Sequence, residues 1–292
     1  MIRPLLKTMR PRQWVKNLFV VTPLFFARRA GDLDSVLMTA AAFAIFCAIS
    51  SSVYLLNDLM DVEKDRAHPK KRNRPIAAGR LPTSTAWRAF GLLAVTALVS
   101  GFGLSVEFGI ATAAYLTMNV GYSFGLKRLA YLDVLIIAAG FLIRVWGGAA
   151  VLEIAPSWWL MGVTGVLAMY LGFGKRAHEL VTMRAGHHRS RDSLAGYSST
   201  ALEWILHALG STTVTIYVLY TQSQHVMEVF GDAPLLYTIP FPMLGILRFS
   251  FLVTHRPDAE SPTEEMLRDP LFLGNLAMWA IACAVIIYGD IL

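Results

Sequence analysis

The sequence predicts an all-α protein that crosses a membrane many times. Apolar residues make up 55% of its 292 residues and charged residues only 16%, whereas a soluble globular protein usually carries about 25% charge. The mean hydropathy is +0.51, and apolar runs of spanning length recur between charged clusters. These observations exclude ordinary secreted, nuclear and fibrous proteins. Cys47 and Cys283 both lie in apolar runs and offer neither a disulfide framework nor a zinc site.

Nine apolar runs are the predicted membrane spans, each close to the roughly 20 residues that cross a bilayer. The first run is short and contains Pro23, but Arg28 and Arg29 follow its apolar core, where a signal peptide would have small residues. We therefore interpret it as a retained helix. The nine runs cover approximately residues 15–30, 35–56, 84–102, 106–125, 130–151, 157–174, 199–222, 235–254 and 271–290.

Lysine and arginine residues are distributed very unequally between the two sides of the predicted bundle. Of the 26, 22 lie in the N-terminal arm, in the even-numbered connections between spans or at the edges of those connections. Because basic residues of short loops stay cytoplasmic, the N-terminus is predicted inside and, with nine spans, the C-terminus outside. Membrane asymmetry thereby accounts for the net charge of +6, and we expect no nucleic-acid partner.

The long polar connections lie on the predicted cytoplasmic side, and the outer connections are short. Binding and catalytic residues concentrate on loops that a rigid scaffold positions, so we expect the functional site at the cytoplasmic face. The chain shows no convincing internal repeat, which predicts one integral-membrane domain over residues 1–292. Its functional loops cover approximately residues 57–83, 126–130, 175–198 and 255–270.

An acidic segment at the inner end of the second span is the most informative motif. Asn57, Asp61 and Asp65 are spaced four residues apart, and Asp58 lies on the same broad face of a helix. Carboxylates so close together repel one another unless a cation lies between them. Mg²⁺ suits such oxygen ligands, so the four residues form a predicted metal site. The alternative is a solvated acidic helix end.

Basic residues follow this segment directly, and others end the fourth span. Lys71, Arg72 and Arg74 lie in the connection after the acidic segment, and Tyr122 and Lys127 flank the end of span four. Bases beside a carboxylate-bound metal are typical of a site that binds a polyanion such as a diphosphate. The alternative for the basic connection is an ordinary cytoplasmic loop.

Asp133 and Arg144 are charged residues within the fifth span. An arginine deep in a membrane span is costly and indicates function, but a structural ion pair with a carboxylate such as Glu203 is an equal alternative. Gly147 and Gly148 leave room for a ligand or for close helix approach. Small-residue faces of this kind are also compatible with a homo-oligomer.

The sixth span and the N-terminal arm provide the remaining candidates. Lys175, Arg176 and Glu179 lie at the inner end of span six, where Lys175 and Glu179 have the spacing of a simple helical ion pair. Lys16 and Asn17 belong to an arm that resembles an interfacial anchor, and both are candidates to reach the site.

The acidic segment, together with nine spans, resembles the UbiA prenyltransferase superfamily. Asn57-Asp58-x-x-Asp61-x-x-x-Asp65 is similar to the first aspartate-rich motif of that superfamily. The resemblance implies a nine-helix bundle with a lateral opening to lipid, a polar cavity facing the cytoplasm, and group transfer from a Mg²⁺-bound diphosphate. The aromatic prenyltransferases of that superfamily carry a second aspartate pair, whereas the corresponding loops of this chain contain only Asp133, Glu179 and Asp192. This departure argues against an isoprenyl diphosphate donor.

The finer pattern resembles the decaprenyl-phosphate phosphoribosyltransferases. The matching stretches run through nearly the whole chain: Arg10-Pro11-x-Gln13-Trp14-x-Lys16-Asn17, the acidic segment, His68-Pro69-x-Lys71-Arg72-x-Arg74-Pro75-Ile76-Ala77-x-Gly79, Tyr122-Ser123-x-x-Leu126-Lys127, Asp133-Val134, Arg144, and Gly174-Lys175-Arg176-x-x-Glu179-Leu180. The resemblance implies transfer of 5-phosphoribosyl from its 1-diphosphate to a polyprenyl phosphate. It also implies a multi-pass protein of the bacterial inner (cytoplasmic) membrane with its active site facing the cytoplasm.

The motifs and the two resemblances together give each candidate residue an expected role. Asn57, Asp58, Asp61 and Asp65 hold Mg²⁺ on the diphosphate, and Asp133 orients the ribose hydroxyls or stabilises positive charge that develops at C1. Because this donor has a 5-phosphate as well as a diphosphate, it accounts for a single acidic motif among many bases. The expected substrate-binding residues are Lys16, Asn17, Lys71, Arg72, Arg74, Tyr122, Lys127, Arg144, Lys175, Arg176 and Glu179.

Two other functional classes remain as alternatives. An aromatic prenyltransferase would use an isoprenyl diphosphate and requires the second acidic pair. A transporter or anion channel is compatible with charged residues in spans, but it has no need of an acidic segment followed at once by a basic one.

Overall fold

The computed structural model describes residues 2–184, 192–231, 233–255 and 262–289, and within these ranges it contains helices and no strand. Most helices are α-helical, and the segment Pro11–Val20 forms a 3₁₀ helix. The α-helices are α1 (Ile2–Met9), α2 (Thr22–Phe26), α3 (Leu33–Met60), α4 (Val62–Arg66), α5 (Thr83–Leu104), α6 (Val106–Phe124), α7 (Leu132–Val151), α8 (Trp158–Arg184), α9 (Ser199–Thr221), α10 (Gln224–Phe230), α11 (Pro240–His255), α12 (Pro262–Met266) and α13 (Pro270–Tyr288).

Six helical segments in the described ranges are long and apolar enough to cross a membrane. They include α3, α5, α7, α9 and α13, and α11 joins them when the short 3₁₀ helix Leu235–Thr238 before it is counted. They correspond to six of the nine predicted spans. The fourth and sixth predicted spans are also helical, as α6 and α8. The protein is therefore an all-helical membrane protein, as the composition predicted.

The first predicted span, residues 15–30, is wrong as a continuous helix. The 3₁₀ helix Pro11–Val20 covers its first part and the five-residue α2 its second. Pro23 lies in the first turn of α2, a position where its missing N–H costs nothing but where a preceding α-helix cannot continue.

The predicted loop over residues 175–198 also needs correction. Helix α8 continues to Arg184, so Lys175, Arg176 and Glu179 lie on a helix of 27 residues. The apolar run ends near Gly174, but buried contacts of its polar continuation keep the chain helical: Arg176, His178 and Leu180 are all buried. Hydropathy locates the apolar part of a helix and misses such an extension.

The described chain divides into two compact units. The first contains Met1–Lys127 and Ala139–Pro156, and the second contains Arg128–Ala138 and Ser157–Leu292. In the first unit α3 packs on α5 and α6 around buried Phe46, which meets the rings of Phe108 and Tyr115 edge-on with centroids 5.6 and 5.7 Å apart.

A smaller core in the first unit holds the connection after α3. Leu55 and Leu59 of α3 pack with Ile76 and Leu81 of the connection and with Ala86 of α5. Gly79 has a left-handed backbone with φ +71°, which glycine adopts without steric cost. Residues 67–81 are thereby folded back against the helices, which fixes the basic residues beside the acidic segment.

The second unit is built mainly on α8, α9, α11 and α13. Tyr170 of α8 packs on Phe249 and Val253 of α11, and its hydroxyl lies 2.7 Å from Ser250 Oγ. Phe173 and Leu180 of α8 pack with Val134 of α7 and with Leu194 and Tyr197, all in the second unit. This core positions the second group of charged residues.

Candidate active site

The acidic segment lies at the junction of α3 and α4 in the first unit. Helix α3 ends at Met60, and Asp61 (φ −100°, ψ 8°) separates it from α4. Hydrogen bonds from Asp61 N to Asn57 O (3.1 Å) and from Asp65 N to Asp61 O (2.8 Å) preserve the four-residue spacing. The predicted ladder is therefore present, but on two helices and not on a single one.

Asp58 and Asp65 converge on one guanidinium. Arg74 Nη1 lies 3.1 Å from Asp58 Oδ1 and 2.7 Å from Asp65 Oδ2. Arg10 Nη2 lies 2.5 Å from the same oxygen of Asp58. Both carboxylates are buried, whereas the arginine side chains are 31% and 28% exposed. The acids are therefore enclosed, whereas both of their bases are partly exposed.

Asp61 has a base of its own. Lys127 Nζ lies 2.6 and 2.7 Å from the two carboxylate oxygens of Asp61, and the Asp61 side chain is 28% exposed. Next to this pair, Ser123 Oγ donates to Asn57 Oδ1 at 2.8 Å. We call Arg10, Asp58, Asp61, Asp65, Arg74 and Lys127 the Asp58 cluster.

The chemistry of the Asp58 cluster fits a divalent cation in part. Among the described residues, no three Asp, Glu, His or Cys side chains are gathered closely enough to hold a metal ion, because each carboxylate is directed towards a base. Two carboxylates that share one cationic nitrogen are nevertheless the kind of oxygen donors that Mg²⁺ takes from proteins. The four-residue metal site stays a prediction, and Asp58 and Asp65 are its best supported members.

The other predicted residues of the first unit lie in the basic connection, on α6 and on the 3₁₀ helix Pro11–Val20. Lys71 and Arg72 begin a short 3₁₀ helix next to Arg74, and Arg72 is exposed. The ring Nδ1 of His68 accepts hydrogen bonds from the backbone N of Lys70 and Lys71, which orders this turn. Tyr122 on α6 and Lys16 on the 3₁₀ helix Pro11–Val20 are half-buried.

Arg144 is deeply buried and bound by neutral oxygens. Its Nε donates to Asn17 Oδ1 (2.8 Å), Nη1 to the Gly140 carbonyl (2.8 Å) and Nη2 to the Tyr115 hydroxyl (2.9 Å). Asn17 in turn donates to Ser50 Oγ at 3.2 Å. A Cβ at Gly148 would collide with the carbonyl oxygen of Val20, so a glycine is required where the 3₁₀ helix meets α7. Asn17 and Arg144 thus fix the N-terminal arm within the first unit.

A second group of charged residues lies in the second unit. Arg176 Nε is 2.8 Å from Asp133 Oδ2, and Arg176 Nη1 contacts Glu179. The hydroxyl of Tyr197 donates to Asp133 Oδ1 at 2.5 Å and accepts from Tyr131 N at 2.7 Å. We call Asp133, Arg176, Glu179 and Tyr197 the Asp133 cluster.

The Asp133 cluster is closed to solvent at its centre. The side chains of Arg176 and Asp133 are 1% and 0% exposed. Burial, followed by the hydrogen bond to Asp133, raises the pKa of Tyr197 above its ordinary value. Tyr131, whose N–H binds Tyr197, has φ +66°, a costly conformation for a residue other than glycine. Asp133 and Arg176 therefore have the surroundings of a structural ion pair, with Asp133 Oδ1 hydrogen-bonded to Tyr197 and Oδ2 at ion-pair distance from Arg176.

Sequence reasoning did not assign a role to Arg10 or to Tyr197. Arg10 lies inside the N-terminal motif, and its left-handed backbone is not visible in a sequence. Tyr197 follows residues 185–191, which are not among the described residues, and no spacing relates it to Asp133. Lys175 is half-buried on α8.

The comparisons with known proteins agree with this fold. Residues 17–288 match the model of the UbiA prenyltransferase family. The chain belongs to this family. A UbiA homolog from Archaeoglobus fulgidus, whose structure was solved with DMAPP and Mg²⁺, superimposes with a TM-score of 0.68 at 16% identity over 97% of this chain and 96% of that one. At this identity the match shows a common fold.

Two relatives are closer in sequence. The decaprenyl-phosphate phosphoribosyltransferase of Mycolicibacterium smegmatis is 38% identical over 77% of this chain and 72% of the relative. The enzyme of the same name from Mycobacterium tuberculosis is 33% identical over 99% of this chain and 96% of its own length. The protein is thus a membrane-embedded transferase of the UbiA family.

Proposed function

We propose that the protein transfers 5-phosphoribosyl from 5-phosphoribosyl-1-diphosphate to a polyprenyl phosphate of the decaprenyl type and releases diphosphate in a Mg²⁺-dependent reaction. The observation that carries the proposal is the Asp58 cluster, in which three carboxylates and three bases meet at one junction of helices. The names of the two relatives support the choice of donor and acceptor.

The transfer requires one bond to break and one to form at the ribose C1. The bond from C1 to the diphosphate oxygen breaks, and its electron pair leaves with the diphosphate. An oxygen of the polyprenyl phosphate then forms the new bond to C1. This oxygen is already anionic near neutral pH, so the reaction needs no strong general base.

The Asp58 cluster contains the groups that are required when the diphosphate leaves C1. Asn57, Asp58, Asp61 and Asp65 would hold Mg²⁺, which when bound neutralises charge on the leaving diphosphate. Arg10, Arg74 and Lys127 provide positive charge for the diphosphate oxygens, where negative charge develops as the bond to C1 breaks. Lys71 and Arg72 continue the basic surface and are candidates for the 5-phosphate.

The acids and bases of the second unit have a different role in this proposal. Asp133 and Arg176 neutralise each other in a buried pair, so we assign them to the support of the structure and not to contact with the ribose or a phosphate. An aromatic prenyltransferase would need a second carboxylate pair that is available for metal. Asp133 and Glu179, two of the three acids that the sequence offers there, both contact Arg176.

The proposal also includes a topology. We infer nine membrane segments with the N-terminus and the Asp58 cluster on the cytoplasmic side of the inner membrane, based on the distribution of Lys and Arg. A single cysteine at Lys70 should react with an impermeant thiol reagent only from the cytoplasmic side. A cysteine at Ala155 should react only from the outside, and reversed labelling would contradict the topology.

The function is tested by offering labelled donors to membranes that contain the protein. Label from phosphoribosyl diphosphate should enter the lipid phase, stop in excess chelator and resume when Mg²⁺ is restored. Label that moves instead from an isoprenyl diphosphate to a small aromatic acceptor would establish the prenyltransferase alternative. Solute uptake without a covalent product would establish a transporter.

A further inference from the structure

The Asp58 cluster contains equal numbers of acids and bases, and each base is bound to an acid. Arg10 and Arg74 share Asp58, Arg74 also binds Asp65, and Lys127 binds both oxygens of Asp61. A metal held by these carboxylates would therefore share Asp58 Oδ1, Asp65 Oδ2 and both oxygens of Asp61 with the bases. A metal ion and the bases compete for them.

Arg10 is held in this arrangement by its backbone. Its φ of 55° and ψ of 60° are left-handed, a conformation that non-glycine residues adopt mostly where the surrounding structure imposes it. Its guanidinium lies 5.0 Å from the ring centroid of Tyr54 as well as against Asp58. The strained turn before Pro11 thus directs a cation into the cluster from a different part of the chain than Arg74 and Lys127.

We propose that Arg10, Arg74 and Lys127 are exchangeable counter-ions that couple the binding of metal and diphosphate. This inference rests on the proposed function, because it concerns the site that would hold Mg²⁺ and the diphosphate of the donor. With both ligands bound, the bases would turn to the diphosphate oxygens, and the carboxylates, which stay in place, would be left to hold the metal. Arg10 is thereby a further donor-binding residue.

The charge balance of the cluster explains why the two ligands depend on each other. Mg²⁺ alone adds positive charge to a neutral cluster and must displace bases that then have no partner. Diphosphate alone must draw the bases away from carboxylates that repel it. When both bind, every carboxylate and every base regains a partner of opposite charge. The coupling is reciprocal, since each ligand raises the affinity for the other by the same factor.

The exposure of the side chains permits this exchange. The side chains of Arg10, Arg74 and Lys127 are 31%, 28% and 17% exposed, so an incoming anion reaches them. Asp58 and Asp65 are buried and remain in place as the bases move. The fixed partners are the ones that would bind the metal, and the mobile partners are the ones that would bind the anion.

The test is a calorimetric titration of the purified full chain in nanodiscs with Mg²⁺ alone, inorganic diphosphate alone, and diphosphate at saturating Mg²⁺. For Arg10→Gln we expect Mg²⁺ alone to bind at least about 3-fold more tightly, because a competitor for Asp58 is gone. Diphosphate at saturating Mg²⁺ should bind about 10-fold more weakly, because a charge-assisted contact is lost. The factor by which each ligand raises the affinity for the other should therefore be smaller in Arg10→Gln than in the unmodified protein.

Three further variants control this result. Arg12→Gln removes a charge of the same arm from an exposed residue and should change neither affinity. Arg10→Lys should restore most of the diphosphate affinity. Lys127→Gln should produce the same opposite shifts through Asp61, and it replaces Arg10→Gln in the comparison if that variant does not fold.

The proposal is overturned if Arg10→Gln and Lys127→Gln weaken the binding of Mg²⁺ alone, or if they change diphosphate affinity no more than Arg12→Gln does. These titrations use neither ribose nor lipid. A protein with opposite shifts that fails to transfer phosphoribosyl would retain the counter-ion exchange and refute the proposed function. A protein that transfers phosphoribosyl without opposite shifts would retain the proposed function and refute the counter-ion exchange.

Discussion

The Asp58 cluster and the Asp133 cluster are made of the same residue types but differ in exposure. In the Asp58 cluster the bases are partly exposed and meet buried or partly exposed acids. In the Asp133 cluster, Arg176 and Asp133 are both almost completely buried, and Tyr197 binds the remaining oxygen of Asp133. A charged pair is therefore available to a ligand only when at least one partner can leave at a small cost in free energy.

The cost of leaving is set by desolvation. A partly exposed base that loses its acid is solvated by water, so an exposed pair contributes only about 0–1 kcal/mol. A buried pair that loses one partner leaves an uncompensated charge, at a cost of about 3–5 kcal/mol. The Asp58 cluster is therefore suited to exchange partners with a substrate, whereas the Asp133 cluster is suited to hold the second unit together.

Replacing Arg176 should have the largest effect on stability. Arg176→Met leaves Asp133 buried without a counter-ion, and we expect the free energy of unfolding to fall by about 3–5 kcal/mol. Chemical denaturation of the purified protein in detergent measures the loss. The double variant Arg176→Met/Asp133→Asn should recover part of it because no buried charge remains, and a loss below about 1 kcal/mol in the single variant would contradict the comparison.

Replacing Arg144 should have a smaller effect on stability than replacing Arg176, since the three partners of Arg144 are neutral oxygens. Arg144→Met leaves the Asn17, Tyr115 and Gly140 oxygens without this donor but leaves no unpaired charge. We expect a loss of about 1–3 kcal/mol in total, because the desolvation cost of the buried guanidinium disappears with the side chain and offsets part of the cost of the three unsatisfied oxygens. Denaturation of Arg144→Met beside Arg176→Met measures the difference, and a greater loss at Arg144 would show that neutral partners do not explain the ranking.

Replacing Lys127 should have the smallest effect on stability. Its partner Asp61 is 28% exposed, so Lys127→Gln should lower the free energy of unfolding by about 1 kcal/mol or less. The same variant should clearly lose phosphoribosyl transfer, because its charge is needed by the diphosphate. Equal losses of stability in Lys127→Gln and Arg176→Met would remove the distinction between the two clusters.

The sequence predicted the helices well where apolar runs define them. The bounds of α5, α6 and α9 agree with the predicted spans to within two residues. Two predictions failed for physical reasons that hydropathy does not contain. Pro23 interrupts the first run, and buried polar contacts extend α8 beyond Gly174.

The site was predictable in part. The four-residue spacing of Asn57, Asp61 and Asp65 indicated a cluster, and the structure brings Arg74 and Lys127 to it. The sequence did not distinguish these residues from Asp133 and Arg176, because burial is decided by tertiary packing. Arg10 was not assigned because only the left-handed turn before Pro11 directs it to Asp58.

The decisive measurement is the rate of transfer from labelled phosphoribosyl diphosphate to polyprenyl phosphate in Asp61→Asn and in Tyr197→Phe. Each rate is normalised to the amount of folded protein, so loss of stability is separated from loss of chemistry. We expect Asp61→Asn to lose transfer by about 100-fold or more, the scale expected when a residue that stabilises the leaving group is lost. Tyr197→Phe should retain nearly full transfer per folded molecule. Transfer that persists in Asp61→Asn, or that is abolished in folded Tyr197→Phe, would contradict the assignment of the donor to the Asp58 cluster.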